Sequence, residues 1–295
     1  MRPPILVFGG SGFLGSHLCD KLLAQGHRVI NFDITRSPYE HPNKTEITAS
    51  VESPERIASL IREYNIELVY HLAGLADIDD CHHNPLLAVE SNILLTARIL
   101  EACKNTTVQK IIFSSSAYVA SNKGSIYRVT KQACEGLFEE YFNNFGLKYV
   151  ILRFGTLYGH RSNQKNGIYR LIREAVTQKR ITYPGTGEET REFIHVLDAA
   201  TLAIKTEAPE FDCQKVLLTG NRTIQYKELI DMVNEMMGNQ LEINYKKELS
   251  NNHYIRTPYF YKKDICRKLV GDYHIDLSQG LLSLIEEIDS NESAK

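Results

Sequence analysis

Among the six cysteines there is no CxxC pair. Cys19, Cys81, Cys103, Cys134, Cys213 and Cys266 are widely scattered, and they read as reduced, mostly buried thiols of a cytosolic protein. Cys81, His82 and His83 stand side by side, but adjacent ligands of this kind rarely share one zinc. With no second pair at finger spacing, no metal site is expected. Excess charge is also missing. Lys and Arg number 34 against 36 Asp and Glu, for a formal net charge of −2, which argues against electrostatic binding to nucleic acid or anionic membranes. No apolar run approaches the roughly 20 residues of a membrane span. The N-terminus, MRPPILVFGG, passes straight into a strand pattern and leaves no room for a signal peptide, so a cytoplasmic protein is expected. No internal repeat or low-complexity linker is visible. What remains is an ordinary globular profile: 295 residues, 43% hydrophobic and 24% charged, enough for one extended domain or two closely joined ones.

The run Ile5 to Gly10 reads as a buried parallel strand that ends in glycines. Gly9, Gly12 and Gly15 then make a GxxGxxG turn opening a helical pattern. Such a turn needs residues without side chains where the backbone approaches a pyrophosphate, and it aims a helix N-terminus at that anion. A second strand, His27 to Asp33, ends in a carboxylate 18 residues after Gly15. A carboxylate there suits the two hydroxyls of an adenosine ribose and repels a 2′-phosphate, so NAD is expected as cofactor. Arg36, three residues on, is the side chain that would serve NADP instead. The expected cofactor contacts are Gly9, Gly12, Phe13, Leu14, Gly15, Asp33 and Ile34, followed by Ala73 and Gly74 at the end of the strand that starts at Leu68.

Helices and strands keep alternating to residue 155, which predicts an α/β fold with a doubly wound parallel sheet of the Rossmann kind. Gly9, Asp33, Gly74 and Ser116 all fall at C-terminal strand ends, where such folds bind ligands. The expected division is a cofactor domain over 1–155, also receiving about 190–222, and a smaller interwoven substrate lobe over 156–190 and 223–290. A long helix is expected from about Pro85 to Lys104, and a closing one from Ser278, as N-cap, to Ile288, with disorder from about Asn291.

The stretch from Ser114 to Lys131 carries the chemistry. Tyr127 and Lys131 stand four residues apart, one above the other on a helix face. A phenol with a pKa of about 10 is a poor base near neutrality, and an adjacent ammonium favours its phenolate. A serine at the preceding strand end is placed to hydrogen-bond the same substrate oxygen.

With GGSGFLG, FD, HLAG, FSSSAY, YRVTK, LRFGTLYG and REFIHVLDAA in this order, the sequence resembles the extended short-chain dehydrogenase/reductase family, most of all its nucleotide-sugar epimerases. The resemblance implies that Tyr127 is the acid/base, that Lys131 tunes it and holds the nicotinamide ribose, and that Ser116 binds the reacting oxygen. It also implies that Asn92 lies near the cofactor, and that Arg191 grips the diphosphate of a sugar nucleotide. Thr156 and Arg256 are further implied substrate contacts, and a homodimer through the helices near 85–104 and 125–145 is implied as well. The implied reaction is epimerisation by transient oxidation of a sugar hydroxyl at C4. The alternatives are a dehydrogenase or ketoreductase that stops after one hydride transfer, and a cofactor-sensing protein without activity. Three departures stand out. Only ten residues separate Ser116 from Tyr127, where relatives carry a longer loop that shapes the sugar pocket. Thr156 replaces an asparagine of the family pattern. Ala117-Tyr118 replaces the acidic pair of the 4,6-dehydratases, which argues against dehydration.

Overall fold

Short runs of β-branched and leucine side chains build the centre of the fold, and the elements between them wrap both of its faces. The structure, a computed structural model, describes residues 3–246, 252–258 and 266–294. In order come β1 (Ile5–Phe8), α1 (Phe13–Ala24), β2 (Val29–Asp33), β3 (Lys44–Thr48), α2 (Pro54–Tyr64), β4 (Leu68–His71), α3 (Ile78–His83), α4 (Pro85–Ala88), α5 (Leu95–Cys103), β5 (Lys110–Ser116), α6 (Ser125–Phe145) and β6 (Lys148–Phe154). After these follow β7 (Thr156–Tyr158), α7 (Gly167–Gln178), β8 (Arg180–Tyr183), β9 (Thr190–Arg191), β10 (Phe193–His195), α8 (Val196–Lys205), β11 (Gln214–Leu218), β12 (Ile224–Gln225), α9 (Tyr226–Met236), β13 (Glu242–Tyr245), β14 (Arg267–Lys268) and α10 (Leu277–Ser293).

Eight strands form one parallel sheet in the order β3-β2-β1-β4-β5-β6-β11-β14. This is the expected doubly wound α/β arrangement. Strand order reverses between β1 and β4, so a crevice opens at their C-terminal ends. Successive side chains point to opposite faces, and two cores result. Leu6, Phe8, Ile111 and Phe113 pack on one face with α2, α5 and α6, while Ile5, Val7 and Ile112 pack on the other with α1 and α8. Residues after Thr156 add three two-stranded pairs, β7 with β10, β9 with β12 and β8 with β13. Arg267–Lys268 returns from that second region to give the main sheet its outer strand. Parts of that region, 247–251 and 259–265, lie outside the described residues.

Local boundaries follow from capping. Ser53 accepts from the Arg56 N–H at 3.5 Å ahead of Pro54, and Asn65 ends α2 in the left-handed conformation. Two expectations are corrected. The N-cap of α10 is Asp276, whose carboxylate accepts from the Ser278 N–H at 2.9 Å, and not Ser278. The helix also runs to Ser293, beyond the expected onset of disorder, because Leu281, Leu284, Ile285 and Ile288 give it a buried stripe. Among the described residues no helix is long and apolar enough to cross a membrane.

Leu284 is fully buried in the third core cluster, with Leu229, Ile230 and Ile172. Leu284→Ala should therefore lower stability by about 2–5 kcal/mol in urea unfolding. A loss under roughly 1 kcal/mol would show that α10 is not an integral part of the core.

Candidate active site

The turn after β1 is a backbone cradle. Gly9 has φ +85°, and a Cβ there would lie 2.6 Å from the Ala73 nitrogen. A Cβ on Gly15 would stand 2.0 Å from the Gly9 carbonyl oxygen, so helix and turn touch through bare backbone. Gly12 is the N-cap of α1 and contributes no side-chain cap, so the first N–H groups of the helix face outward from the turn. Phe13 and Leu14 are half-buried behind it. Asp33 is fixed at the end of β2. Its carboxylate accepts from the Ser11 N–H (3.0 Å), the Thr35 N–H (3.0 Å) and the Thr35 hydroxyl (3.1 Å). Ile34 beside it is exposed, and Arg36 pairs with Glu40 at 2.8 Å on the surface. A glycine turn closed to any Cβ, an uncapped helix N-terminus and an oriented carboxylate fit the pyrophosphate and ribose of a dinucleotide.

Ala73 and Gly74 follow β4 on the same edge. Gly74 has φ +149°, and a Cβ on it would be 2.6 Å from Asn92 Oδ1. The expected single helix over 85–104 is interrupted by a π-helical turn, Val89–Leu94, which carries Asn92. That turn points the buried Asn92 amide back at the loop: Oδ1 accepts from the Leu75 N–H at 2.8 Å, and Nδ2 donates to the Leu75 carbonyl at 3.0 Å and Thr130 Oγ1 at 2.9 Å. Asn92 thus clamps the loop beside the crevice to α6.

Ser116, Tyr127 and Lys131 come together at the end of β5 and the start of α6, and all three are buried. The Tyr127 phenol is hydrogen-bonded with the Ser116 hydroxyl, which also accepts from the Tyr118 N–H at 3.2 Å. Lys131 does not reach up to the phenol oxygen. Its Nζ donates to the Ser114 carbonyl at 2.8 Å and lies 4.8 Å from the Phe113 ring centroid and 6.0 Å from that of Tyr127. The expectation that Lys131 draws the phenol below its ordinary pKa is therefore corrected for the chain by itself. Burial pushes Tyr127 up to about 12, and only the bond with Ser116 offsets it. Burial likewise lowers Lys131. His71, fully buried and bonded to Thr96 Oγ1 at 2.9 Å, falls to about 3 through burial and the nearby Lys131, so it stays neutral.

Arg191 lies on β9, buried among tyrosines. Its guanidinium carbon stands 4.1 Å from the ring centroid of Tyr254 and 5.6 Å from that of Tyr226, and Nη1 donates to the Thr190 carbonyl at 2.8 Å. Tyr254 packs on Tyr118 at 4.5 Å, and Tyr118 meets Tyr127 edge-on at 6.4 Å. Thr156 is hydrogen-bonded with the Tyr254 hydroxyl. The described segment 252–258 spans both regions of the fold: the Gly124 N–H donates to the Asn252 carbonyl, the Thr190 N–H donates to the Ile255 carbonyl, each at 2.8 Å, and the Tyr118 hydroxyl meets His253 Nδ1 at 2.9 Å. Arg256 is exposed on that segment. The shortened stretch after Ser116 is therefore covered from the C-terminal region. Tyr118, His253, Tyr226 and Tyr254 are site neighbours that sequence reasoning did not single out; no motif marks them, and only the position of Tyr118 directly after the serine triplet and Ala117 could have.

The geometry defines a dinucleotide-dependent enzyme of the extended short-chain dehydrogenase/reductase type. The profile of the NAD dependent epimerase/dehydratase family matches residues 5–207, and the chain belongs to that family, with NAD as its cofactor. It is 27% identical over 307 residues to a putative UDP-glucose 4-epimerase of Methanocaldococcus jannaschii, covering 97% of this chain and 99% of that one. It is 26% identical to a UDP-glucuronate 4-epimerase of Thermodesulfobacterium geofontis, over 84% of each chain. The crystal structure of a UDP-glucuronic acid 4-epimerase from Bacillus cereus, with UDP-glucuronic acid and NAD, superposes with a TM-score of 0.83 at 25% identity, covering 98% of this chain and 99% of that one.

Wild-type protein should bind NAD more tightly than NADP in calorimetric titration. Asp33→Ala removes the acceptor of two backbone N–H groups and the carboxylate suited to the ribose hydroxyls. It should weaken NAD binding roughly tenfold or more and narrow the gap to NADP. Equal affinities for the two cofactors in the wild type would contradict the role given to Asp33.

Proposed function

We propose that this enzyme epimerises a nucleotide-diphosphate sugar, a UDP-sugar, at C4. The observation that carries the reading is the line of contacts from Tyr127 through Tyr118 and Tyr254 to the buried Arg191. It sets a proton-transfer group at one end of a row of packed tyrosines and a guanidinium fork suited to a diphosphate at the other. The relatives named for UDP-glucose and UDP-glucuronate support UDP as the nucleotide and C4 as the position. The cofactor domain is 1–155 with about 190–222, and residues 156–190 and 223–290 supply nucleotide and sugar contacts, among them Thr156 and Arg256, joined by Arg191 from the 190–222 stretch.

In this reading Tyr127, as phenolate, takes the proton of the sugar hydroxyl while Ser116 hydrogen-bonds the same oxygen. When bound, NAD supplies the hydride acceptor and, in its oxidised form, a positive charge. Gly9, Gly12, Phe13, Leu14, Gly15, Asp33, Ile34, Ala73 and Gly74 would hold it, with Asn92 keeping the loop after Gly74 in place and Lys131 reaching its ribose. With NAD bound, return of the hydride to the opposite face of the ketosugar would leave no net redox change. Tyr118 stands where an acid would be needed to expel a 6-hydroxyl, and a phenol that burial holds well above its ordinary pKa does not do that work.

The pH dependence follows in sign. The base is the phenolate, so activity rises with pH through the Tyr127 pKa. Positive charge brought in with the oxidised cofactor would lower that pKa. With UDP-glucose or UDP-glucuronate followed by proton NMR, the wild type should give the C4 epimer without added NAD. Tyr127→Phe should abolish turnover at every pH, Lys131→Met should weaken NAD binding, and Arg191→Ala should weaken substrate binding roughly 10- to 100-fold. Turnover that consumes added NAD in proportion to product would instead identify a dehydrogenase. Free sugars reacting as well as UDP-sugars would remove Arg191 from the diphosphate.

The same reading includes a homodimer. Leu86, Leu87, Val89 and Leu94 on the 85–103 helical stretch, and Val129 on α6, are exposed, Leu86 by 80%. Contiguous apolar side chains on two adjoining helices fit a two-fold pairing with a second copy. Light scattering should give two chains of 33.6 kDa, and Leu86→Glu combined with Val129→Glu should give one. A monomeric wild type at micromolar concentration would refute the pairing.

A further inference from the structure

Of the three serines that close β5, only Ser116 has a part in the proton transfer described above, yet all three are tied to α6. Ser114 offers its carbonyl to Lys131 Nζ at 2.8 Å. Ser115 Oγ donates to Glu135 Oε1 at 2.6 Å, and the Ser116 hydroxyl is bonded with the Tyr127 phenol. Tyr127, Lys131 and Glu135 are spaced by four, so they follow one face of the helix turn by turn. Glu135 has no part in the reaction, but it is buried and heavily bonded. Besides Ser115 it takes Arg153 Nε at 3.0 Å and Arg153 Nη2 at 2.7 Å, and Lys215 Nζ stands 3.8 Å away. Ser115 and Arg153 are register partners on β5 and β6. Ser115, Arg153 and Glu135 together join two strands and a helix, about two turns along α6 from the reacting phenol. A buried ion pair of this kind adds little to stability over well-packed apolar side chains, so a role in positioning accounts for it better than one in stability.

We propose that Glu135, acting with Ser115 and Arg153, is a positioning group of this enzyme: it fixes α6 against β5 so that Tyr127 meets Ser116, and its charge, one helical turn from Lys131, favours that ammonium. The groups facing Lys131 are Tyr127, Cys134 and Glu135 on α6, Cys81 on α3 and His71 on β4. Burial holds both thiols and the phenol protonated and His71 neutral, which leaves Glu135 as the carboxylate among them. Burial acts to discharge Lys131 and Glu135 opposes it. Removing the carboxylate must therefore move the titration of Lys131 to lower pH. The inference does not depend on which sugar is bound.

The test follows Lys131 by NMR in the full chain labelled with carbon-13 at lysine Cε, the signal being assigned by its loss in Lys131→Arg. Glu135→Gln should shift the titration midpoint of Lys131 to lower pH, and Glu135→Asp, which keeps the charge, should return most of the shift. Ser115→Ala leaves the ion pair whole; it should lower kcat for the UDP-sugar roughly tenfold with KM and melting temperature unchanged. A Lys131 midpoint unmoved by Glu135→Gln, or equal effects of Gln and Asp, would overturn the effect of the Glu135 charge. Full kcat in Ser115→Ala would overturn the positioning. Should Glu135→Gln fail to fold, the kcat of Ser115→Ala decides the positioning by itself. If the wild type turns over no UDP-sugar, the substrate reading has failed, while the Lys131 titration still decides this one.

Discussion

A lysine carried out of water governs the architecture around it. A buried ammonium is strongly disfavoured unless its protons find acceptors and its charge finds a partner. Lys131 meets the first demand at the Ser114 carbonyl, one residue position of β5 that only a helix lying close over the strand can reach. That closeness explains the rest of the neighbourhood. α6 must start abruptly at Gly124, whose φ of +100° and lack of a Cβ admit the ring of Tyr118. His71 must remain uncharged beside the ammonium. The phenol of Tyr127, buried in the same place, becomes harder to ionise. Burial thus works against ionising the phenol, and in the chain by itself only Ser116 opposes it.

Backbone geometry sets the other half of the site. Gly9 and Gly15 let the first strand, the turn and the first helix touch without side chains. The carboxylate of Asp33 is pre-oriented by three donors from the two loops it joins. Across the crevice, the π-helical turn at Asn92 diverts one helix so that an amide can hold the loop after Gly74. Extra residues in a helical turn lower its regularity, and this one is kept where it binds a loop to the catalytic helix.

The second region of the chain supplies a cover for the short stretch between Ser116 and Tyr127. Here the segment 252–258 reaches from β9 to the turn before α6, and Tyr254 fills the space between Arg191 and Tyr118. Two backbone hydrogen bonds, the Thr190 hydroxyl on the Ile255 carbonyl, the Tyr118–His253 contact and the packing of Tyr254 on Arg191 and Tyr118 tie this cover to both regions.

Alternation of apolar strands and amphipathic helices, read residue by residue, was enough to determine the parallel sheet, the glycine turn, the place of Asp33, and the meeting of Ser116, Tyr127 and Lys131. These depend on local periodicity and on contacts between neighbouring elements, which sequence order carries. Boundary detail was less legible: the helix start at Asp276 depends on which of two nearby polar side chains wins the same N–H groups. The tertiary structure alone decided where Lys131 points, because side-chain direction depends on the strand beneath and not on i, i+4 spacing. It decided that Asn92 clamps a loop, since no spacing rule announces a π turn. It also brought Tyr254 onto Arg191 and Glu135 onto Arg153 and Ser115, pairs 63, 18 and 20 residues apart in sequence. Contacts of that range are fixed by how sheets and helices stack, and burial then sets the charge states that composition cannot reveal.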